Sequence, residues 1–118
     1  MADAILHIEL AGRNGEVLEQ FYGRLFGWAV ERNEIGGSAY GWVSVGPAEG
    51  CTVGIRHEPE GHAEIVVYVG VRDVADAVAR AVKLGATVRI PPTKGGTTRF
   101  AVLRDPEGNP FGVIEQDR

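Results

Sequence analysis

Cysteine is almost missing from this chain: Cys51 stands alone among 118 residues, so no intrachain disulfide can hold the fold. A catalytic thiol needs a nearby base and a lowered pKa, and we read Cys51 as a small residue at a strand edge. No uninterrupted apolar run approaches the roughly 18 residues of a membrane-spanning helix. The start, Met1-Ala2-Asp3-Ala4, lacks the basic and apolar regions of a signal peptide, and we expect a soluble, cytoplasmic protein. Basic residues are also scarce, with 12 Lys and Arg against 16 Asp and Glu. They form no block that would track a phosphate backbone, so neither nucleic acid nor a membrane is an expected partner. What is present is ordinary for one globular domain over 1–118: 44% hydrophobic and 24% charged residues, enough for a modest core.

The chain reads as two copies of one unit. Shifted by 58 positions, Gly27 meets Gly85, Val30 meets Val88, Trp42 meets Phe100, Val45 meets Leu103, Glu49-Gly50 meets Glu107-Gly108 and Gly54 meets Gly112. Leu6, Ile8 and Leu10 alternate with His7 and Glu9, the period of a half-buried strand. Asn14 can cap a helix whose apolar stripe is Val17, Leu18, Phe21, Tyr22, Leu25 and Phe26, with Gly27 as its stop. Strands are expected at 28–31, 40–45 and 51–57, with a Gly-rich turn at 33–38. The pattern restarts at 65–71. Asp73 then caps a helix with Val74, Ala77, Val78, Ala81 and Val82 inward and Gly85 as its stop, and strands follow at 86–90, 100–104 and 111–115. Pro91-Pro92 and Gly95-Gly96 punctuate the last part. Module one thus spans about 4–57, a linker about 58–63 and module two about 64–117, each βαβββ. The fold class predicted is α+β, a cup-shaped mixed sheet with helices on its outer face.

Phe21-Tyr22-Gly23-Arg24-Leu25-Phe26-Gly27-Trp28 and Phe100-Ala101-Val102-Leu103-Arg104-Asp105-Pro106-Glu107-Gly108-Asn109-Pro110-Phe111-Gly112 resemble the helix end and C-terminal motif of the vicinal oxygen chelate superfamily. That superfamily includes glyoxalases, bleomycin-resistance proteins and extradiol dioxygenases. The resemblance covers nearly the whole chain and implies the fold, while its members range from lyases and isomerases to drug-binding proteins. It also implies a divalent cation held by four His or Glu side chains, one on the first and one on the last strand of each half. Here those positions fall on His7, Gly54, Val66 and Gly112. Three of the four offer no donor atom, so no metal cofactor is expected. A homodimer is expected, because small relatives complete their cups by pairing and an exposed sheet edge needs cover.

If the aliphatic alternates face the helices, then His7, Glu9, Tyr40, Trp42, Ser44, Arg56, Val66, Tyr68, Phe100, Val102 and Ile114 share the concave face. Such an aromatic, mostly apolar wall suits a planar ligand, although the same side chains can instead pack against one another or a second subunit. The ligand-binding candidates are His7, Tyr40, Trp42, Arg56, Tyr68 and Phe100; the catalytic candidates are His7 as a base and Glu9 as its orienting carboxylate. Arg56 can meet a carboxylate or phenolate, or simply be solvated near a strand end.

His57, Glu58, Glu60, His62 and Glu64 are metal-ligand types in a charged linker, and we read them as solvated. Residues 92–98 combine Lys, Gly and Thr without the spacing of a P-loop and precede a strand; the family resemblance implies a mobile loop over the pocket, at most a lid. Asp105-Pro106-Glu107-Gly108 is a turn. The leading function is a small-molecule-binding protein of the glyoxalase or bleomycin-resistance type, metal-independent, holding a planar or aromatic ligand. The alternative is a glyoxalase-like lyase or isomerase using His7 as a general base or in an atypical metal site, and a third is an interaction module whose cup is filled by a partner protein.

Overall fold

The computed structural model describes residues 2–35, 38–45 and 51–116. The fold class is α+β, with the element order β1 (Ile5–Gly12), α1 (Gly15–Phe26), β2 (Glu31–Ile35), β3 (Ser38–Ser44), β4 (Thr52–His57), β5 (Glu64–Val71), α2 (Val74–Lys83), β6 (Thr87–Gly95), β7 (Thr98–Arg104) and β8 (Pro110–Glu115). Two compact units result, one over Leu6–Ile65 and one joining Met1–Ile5 to Val66–Arg118. The first orders its strands β2-β3-β4-β1, the second β5-β8-β7-β6. In each, the first strand pairs parallel with the last and the remaining pairs are antiparallel. The repeat inferred from spacing is therefore a repeat of topology. Its first Glu-Gly turn, within 46–50, lies outside the described residues.

The helix ends follow the capping chemistry. Asn14 Oδ1 accepts from the Val17 N–H at 3.3 Å, and Gly27, at φ 72°, closes α1 by donating its N–H to the Gly23 carbonyl at 2.9 Å. Asp73 Oδ1 accepts from Asp76 N–H at 3.0 Å; α2 ends at Leu84, with Gly85 at φ 110° turning the chain away. Each helix has a second cap from the end of its module's last strand. The Gly15 N–H donates to His57 Nδ1 at 2.9 Å, and the Val74 N–H to Glu115 Oε2 at 3.2 Å. His57 was expected in a solvated run, and the structure makes it a helix cap instead.

The two helices bury different amounts. Val74, Ala77 and Val78 of α2 pack with Val71, Ala101, Leu103 and Val113 into a cluster in which no member is more than 9% exposed. In α1 the described residues include one buried position, Gly15, while Val17, Phe21, Leu25 and Phe26 remain 56–59% exposed. The apolar stripe of α1 is present as predicted, but only part of it turns inward: Leu18 lies against Gly12 of β1, while Val17, Phe21, Leu25 and Phe26 stay outside. Tyr22 instead stacks against Phe26 and Trp28, with ring centroids 6.1 and 5.7 Å apart.

Two segments depart from expectation. Trp28 to Val30 is not a strand; β2 begins at Glu31, and residues 33–35 belong to it and not to a turn. Residues 91–95 are not a lid either, because β6 runs straight through Pro91-Pro92 to Gly95 and turns back into β7. Register shifts between Val88 and Ile90 and between Ile90 and Thr93 absorb the prolines, and β6 is the outermost strand of its set, where a missing N–H is tolerated.

The Asp105 motif is a turn, as read. Asp105 Oδ1 accepts from the Glu107 and Asn109 N–H groups and Oδ2 from Asn109 Nδ2, each at 2.9 Å, while Gly108 takes φ 93°. The Asn109 side-chain amide, followed by these N–H bonds, holds the Asp105 carboxyl below its usual pKa. No helix among the described residues is long and apolar enough to cross a membrane.

Candidate functional site

Strand register decides which side chains meet in module one. Pairing of β3 with β4 and of β4 with β1 sets Ser44, Thr52 and His7 in one row, Trp42, Gly54 and Glu9 in the next, and Tyr40, Arg56 and Ala11 in the third. Side chains in register project from the same face, so the alternation read from sequence brought the right residues together. Gly54 at the centre of this grid leaves a gap, and Tyr40 leans diagonally across it. A Cβ at Gly54 would overlap the Tyr40 hydroxyl and ring. The glycine is therefore required by the tyrosine.

The lean of Tyr40 places its hydroxyl between His7 and Glu9. His7 Nε2 is 2.8 Å from Tyr40 Oη, His7 Nδ1 is 2.7 Å from Thr52 Oγ1, and Tyr40 Oη donates to Glu9 Oε2 at 2.9 Å. A phenol has one proton, so once Tyr40 donates to Glu9 it must accept from His7 Nε2–H. His7 Nδ1 is then the acceptor for the Thr52 hydroxyl. Thr52 also lies 3.3 Å from the Leu6 carbonyl, and the shorter contact to the imidazole wins. The chain of donors runs one way, from Thr52 through His7 and Tyr40 to Glu9. Sequence placed His7 and Glu9 on one face at a spacing that made direct contact doubtful, and the structure bridges them with Tyr40.

Arg56 closes the network on the carboxylate side. Its Nε is 3.4 Å from Glu9 Oε1 and its terminal nitrogen is 2.8 Å from Glu64 Oε2, with Glu58 at 4.0 Å. The guanidinium is mostly buried and flanked by acids, so it is neither solvated nor presented to an incoming anion. His7 and Glu9 are each 6% exposed. Desolvation lowers the His7 pKa to about 4, so the ring is neutral at pH 7. Trp42, partly exposed, stacks on His7 with centroids 4.9 Å apart and planes 19° apart.

In module two, Tyr68, Val66 and Val102 form a buried cluster with Ile90, Phe100 and Ile114 around it. Here Tyr68 stands directly opposite Gly112 in register, and a Cβ on that glycine would overlap its ring. Of the six ligand-binding candidates, His7, Tyr40, Trp42 and Arg56 thus meet in module one and Tyr68 and Phe100 in module two. Ser44 shares its row with His7 and is exposed. Thr52 escaped the sequence reading, although it alternates with Gly54 and Arg56 on one strand and was discoverable from that period; Glu64 was read as a solvated linker residue, and the structure pairs it with Arg56 instead.

These residues do not fit the family's metal. Gly54 and Gly112 have no donor and each is covered by a tyrosine ring, Val66 is aliphatic, and His7 has both nitrogens engaged. Among the described residues no cluster of three or more His, Cys, Asp or Glu side chains is arranged to hold a metal ion.

The sequence profile of the glyoxalase-like domain matches residues 7–114. No curated protein sequence matches the chain. Among solved structures, a hypothetical protein from Bacillus halodurans C-125 superposes with a TM-score of 0.77 at 13% identity, covering 100% of this chain and 97% of its own. A methylmalonyl-CoA epimerase in complex with methylmalonyl-CoA and NH4+ gives 0.76 at 16% identity over 98% and 96% of the two chains. A Streptomyces coelicolor methylmalonyl-CoA epimerase variant in complex with 2-nitronate-propionyl-CoA gives 0.73 at 15% over 97% of each. At such identities the likeness is one of fold. With the profile spanning almost every strand and both helices, this chain belongs to the glyoxalase-like domain family, within the vicinal oxygen chelate superfamily.

Proposed function

We propose that this protein binds a small planar or aromatic organic molecule without a metal. The observation that carries this reading is the state of His7. The one imidazole at a ligand position spends both nitrogens on Thr52 and Tyr40, and coordination would have to break a buried network that runs on to Glu9 and Arg56. Trp42 supplies a partly exposed π-face backed by the His7 ring, a rigid surface on which a flat ligand stacks at little conformational cost. In this reading Arg56 acts by holding Glu9 in place, and Tyr68 and Phe100 are the ring surfaces of module two.

The test combines metal analysis with fluorescence. Purified protein is expected to contain no stoichiometric divalent metal, and planar aromatic compounds are expected to quench Trp42 saturably at one per chain in a Trp28→Phe background. One equivalent of nickel, zinc, manganese or iron, lost on His7→Ala, would overturn the reading.

A second reading, an isomerase or lyase, is favoured by Glu9. Its carboxylate receives the Tyr40 hydroxyl and lies beside Arg56, contacts that hold it ionised, while the His7 lone pair is engaged and the His7 pKa is lowered to about 4. The epimerases that share the fold make an acyl-CoA the first substrate class to try. Solvent deuterium entering such a compound, dependent on Glu9 and indifferent to added metal, would establish turnover.

A further inference from the structure

We infer that the Trp42 face of module one takes a planar organic cation, and that Glu31 is the residue that selects for positive charge. This rests on the binding reading above and deepens it by naming the class of ligand. Strand register sets Glu31 of β2 directly opposite Trp42, in a row that runs on through Gly54 to Glu9. Side chains paired in this way project from one face with Cβ atoms about 5 Å apart. The adjacent row confirms the alternation. Arg32 stands opposite Gly41 and meets Glu19 of α1 at 2.9 Å, so that row faces the helix. Glu31 therefore lies on the side away from α1, beside Trp42, and it is exposed.

The two faces of the indole are not equivalent. His7, on β1, stacks on one of them with centroids 4.9 Å apart, which leaves the face turned towards β2, where Glu31 stands. A flat ligand on that face has an aromatic wall on one side and a carboxylate on the other. The indole quadrupole and the carboxylate both attract positive charge, and each repels an anion. Nothing behind the ring opposes them. The His7 Nδ1 accepts from Thr52, so the imidazole is neutral, and the Arg56 guanidinium is held between Glu9 and Glu64, two acids to one base. Module two lacks this arrangement: the row through Phe100 holds Thr93, Ile114 and Gly70, none of them charged. The acid beside the ring is thus a property of module one and not of the repeat.

Isothermal titration calorimetry on the full chain tests the proposal with bicyclic aromatic compounds of similar size that differ in charge at neutral pH: N-methylquinolinium, quinoline and naphthoate. The cation should bind about tenfold more tightly than neutral quinoline, and naphthoate more weakly than either. Glu31→Gln should cost the cation about tenfold while leaving quinoline unchanged, and Glu31→Lys should turn the preference towards naphthoate. Both substitutions fall at an exposed strand position, so the variants keep the fold. Quinoline bound as tightly as the cation, or a cation affinity indifferent to Glu31→Gln, would overturn the proposal and leave the binding reading standing. Binding of none of these compounds would overturn the binding reading itself, and the proposal with it.

Discussion

Where module one carries His7, module two carries Val66; where one has Glu9 the other has Tyr68, and Arg56 is answered by Ile114. The frame is shared, down to a glycine on each module's last strand, Gly54 and Gly112, and a tyrosine laid over it. What differs is the direction from which the ring comes. Tyr68 stands beside its glycine on the paired strand, its ring packed among Val66, Val102, Ile90, Phe100 and Ile114. Tyr40 arrives diagonally, and its hydroxyl reaches between an imidazole and a carboxylate. The same gap in a sheet is thus filled once by packing and once by a hydrogen-bonded relay. The described hydrogen bonds that join imidazole, phenol and carboxylate therefore lie in module one.

Copying module two into module one should separate these roles most sharply. Arg56→Ile strips the buried Glu9 of its counter-charge and should cost about 3–5 kcal/mol in denaturant unfolding. Replacing the whole set at once, with His7→Val, Glu9→Tyr, Tyr40→Phe and Arg56→Ile, should cost less than the single change, because the buried Glu9 carboxylate goes with its partner and only the partly exposed Glu64 loses one. A larger loss for the quadruple variant would show that the modules are not interchangeable solutions.

The next effect is a pH dependence confined to module one. His7 has its pKa lowered from 6.5 to about 4 in the folded protein, so between those values the unfolded chain binds the extra proton. Stability is complete above pH 6.5 and falls as pH drops towards 4, by up to about 1.4 kcal/mol per pH unit and about 3 kcal/mol in all. The slope should vanish from unfolding curves of His7→Val, and its persistence there would assign the effect to another group.

A smaller effect tests the tyrosine lids. Gly54→Ala should destabilise by about 1–3 kcal/mol because Tyr40 must move, and by much less in a Tyr40→Ala background. Equal costs in both backgrounds would mean that the ring and the glycine are uncoupled. Smallest is the contrast of helix caps. His57→Ala should cost about 1 kcal/mol, by removing the acceptor for Gly15 N–H. Glu115→Ala should do the same for α2 through Val74.

Local chemistry made much of this legible. Asn14, Asp73, Gly27 and Gly85 announce the helix limits, and the alternation along β1, β3 and β4 assigns His7, Glu9, Tyr40, Trp42 and Arg56 to one face. Side-chain reach was not legible: that Gly54 lacks a donor can be read directly, but that Tyr40 occupies its space depends on a diagonal lean no period encodes. The stripe on α1 likewise shows that the helix has an apolar side without saying what covers it. Pro91-Pro92 misled because proline breaks a central strand but not an outer one, and sequence alone did not reveal that β6 lies outermost in its set.

That placement also bears on how the protein survives at high concentration. An outermost strand with free N–H and C=O groups invites another chain to add itself, and repeated addition is how fibrils grow. At 91 and 92 β6 has no N–H to offer, and its register shifts bend it away from the straight geometry a newcomer would copy. The dipeptide that interrupts the sequence pattern thus takes from this edge backbone donors that an added strand would use.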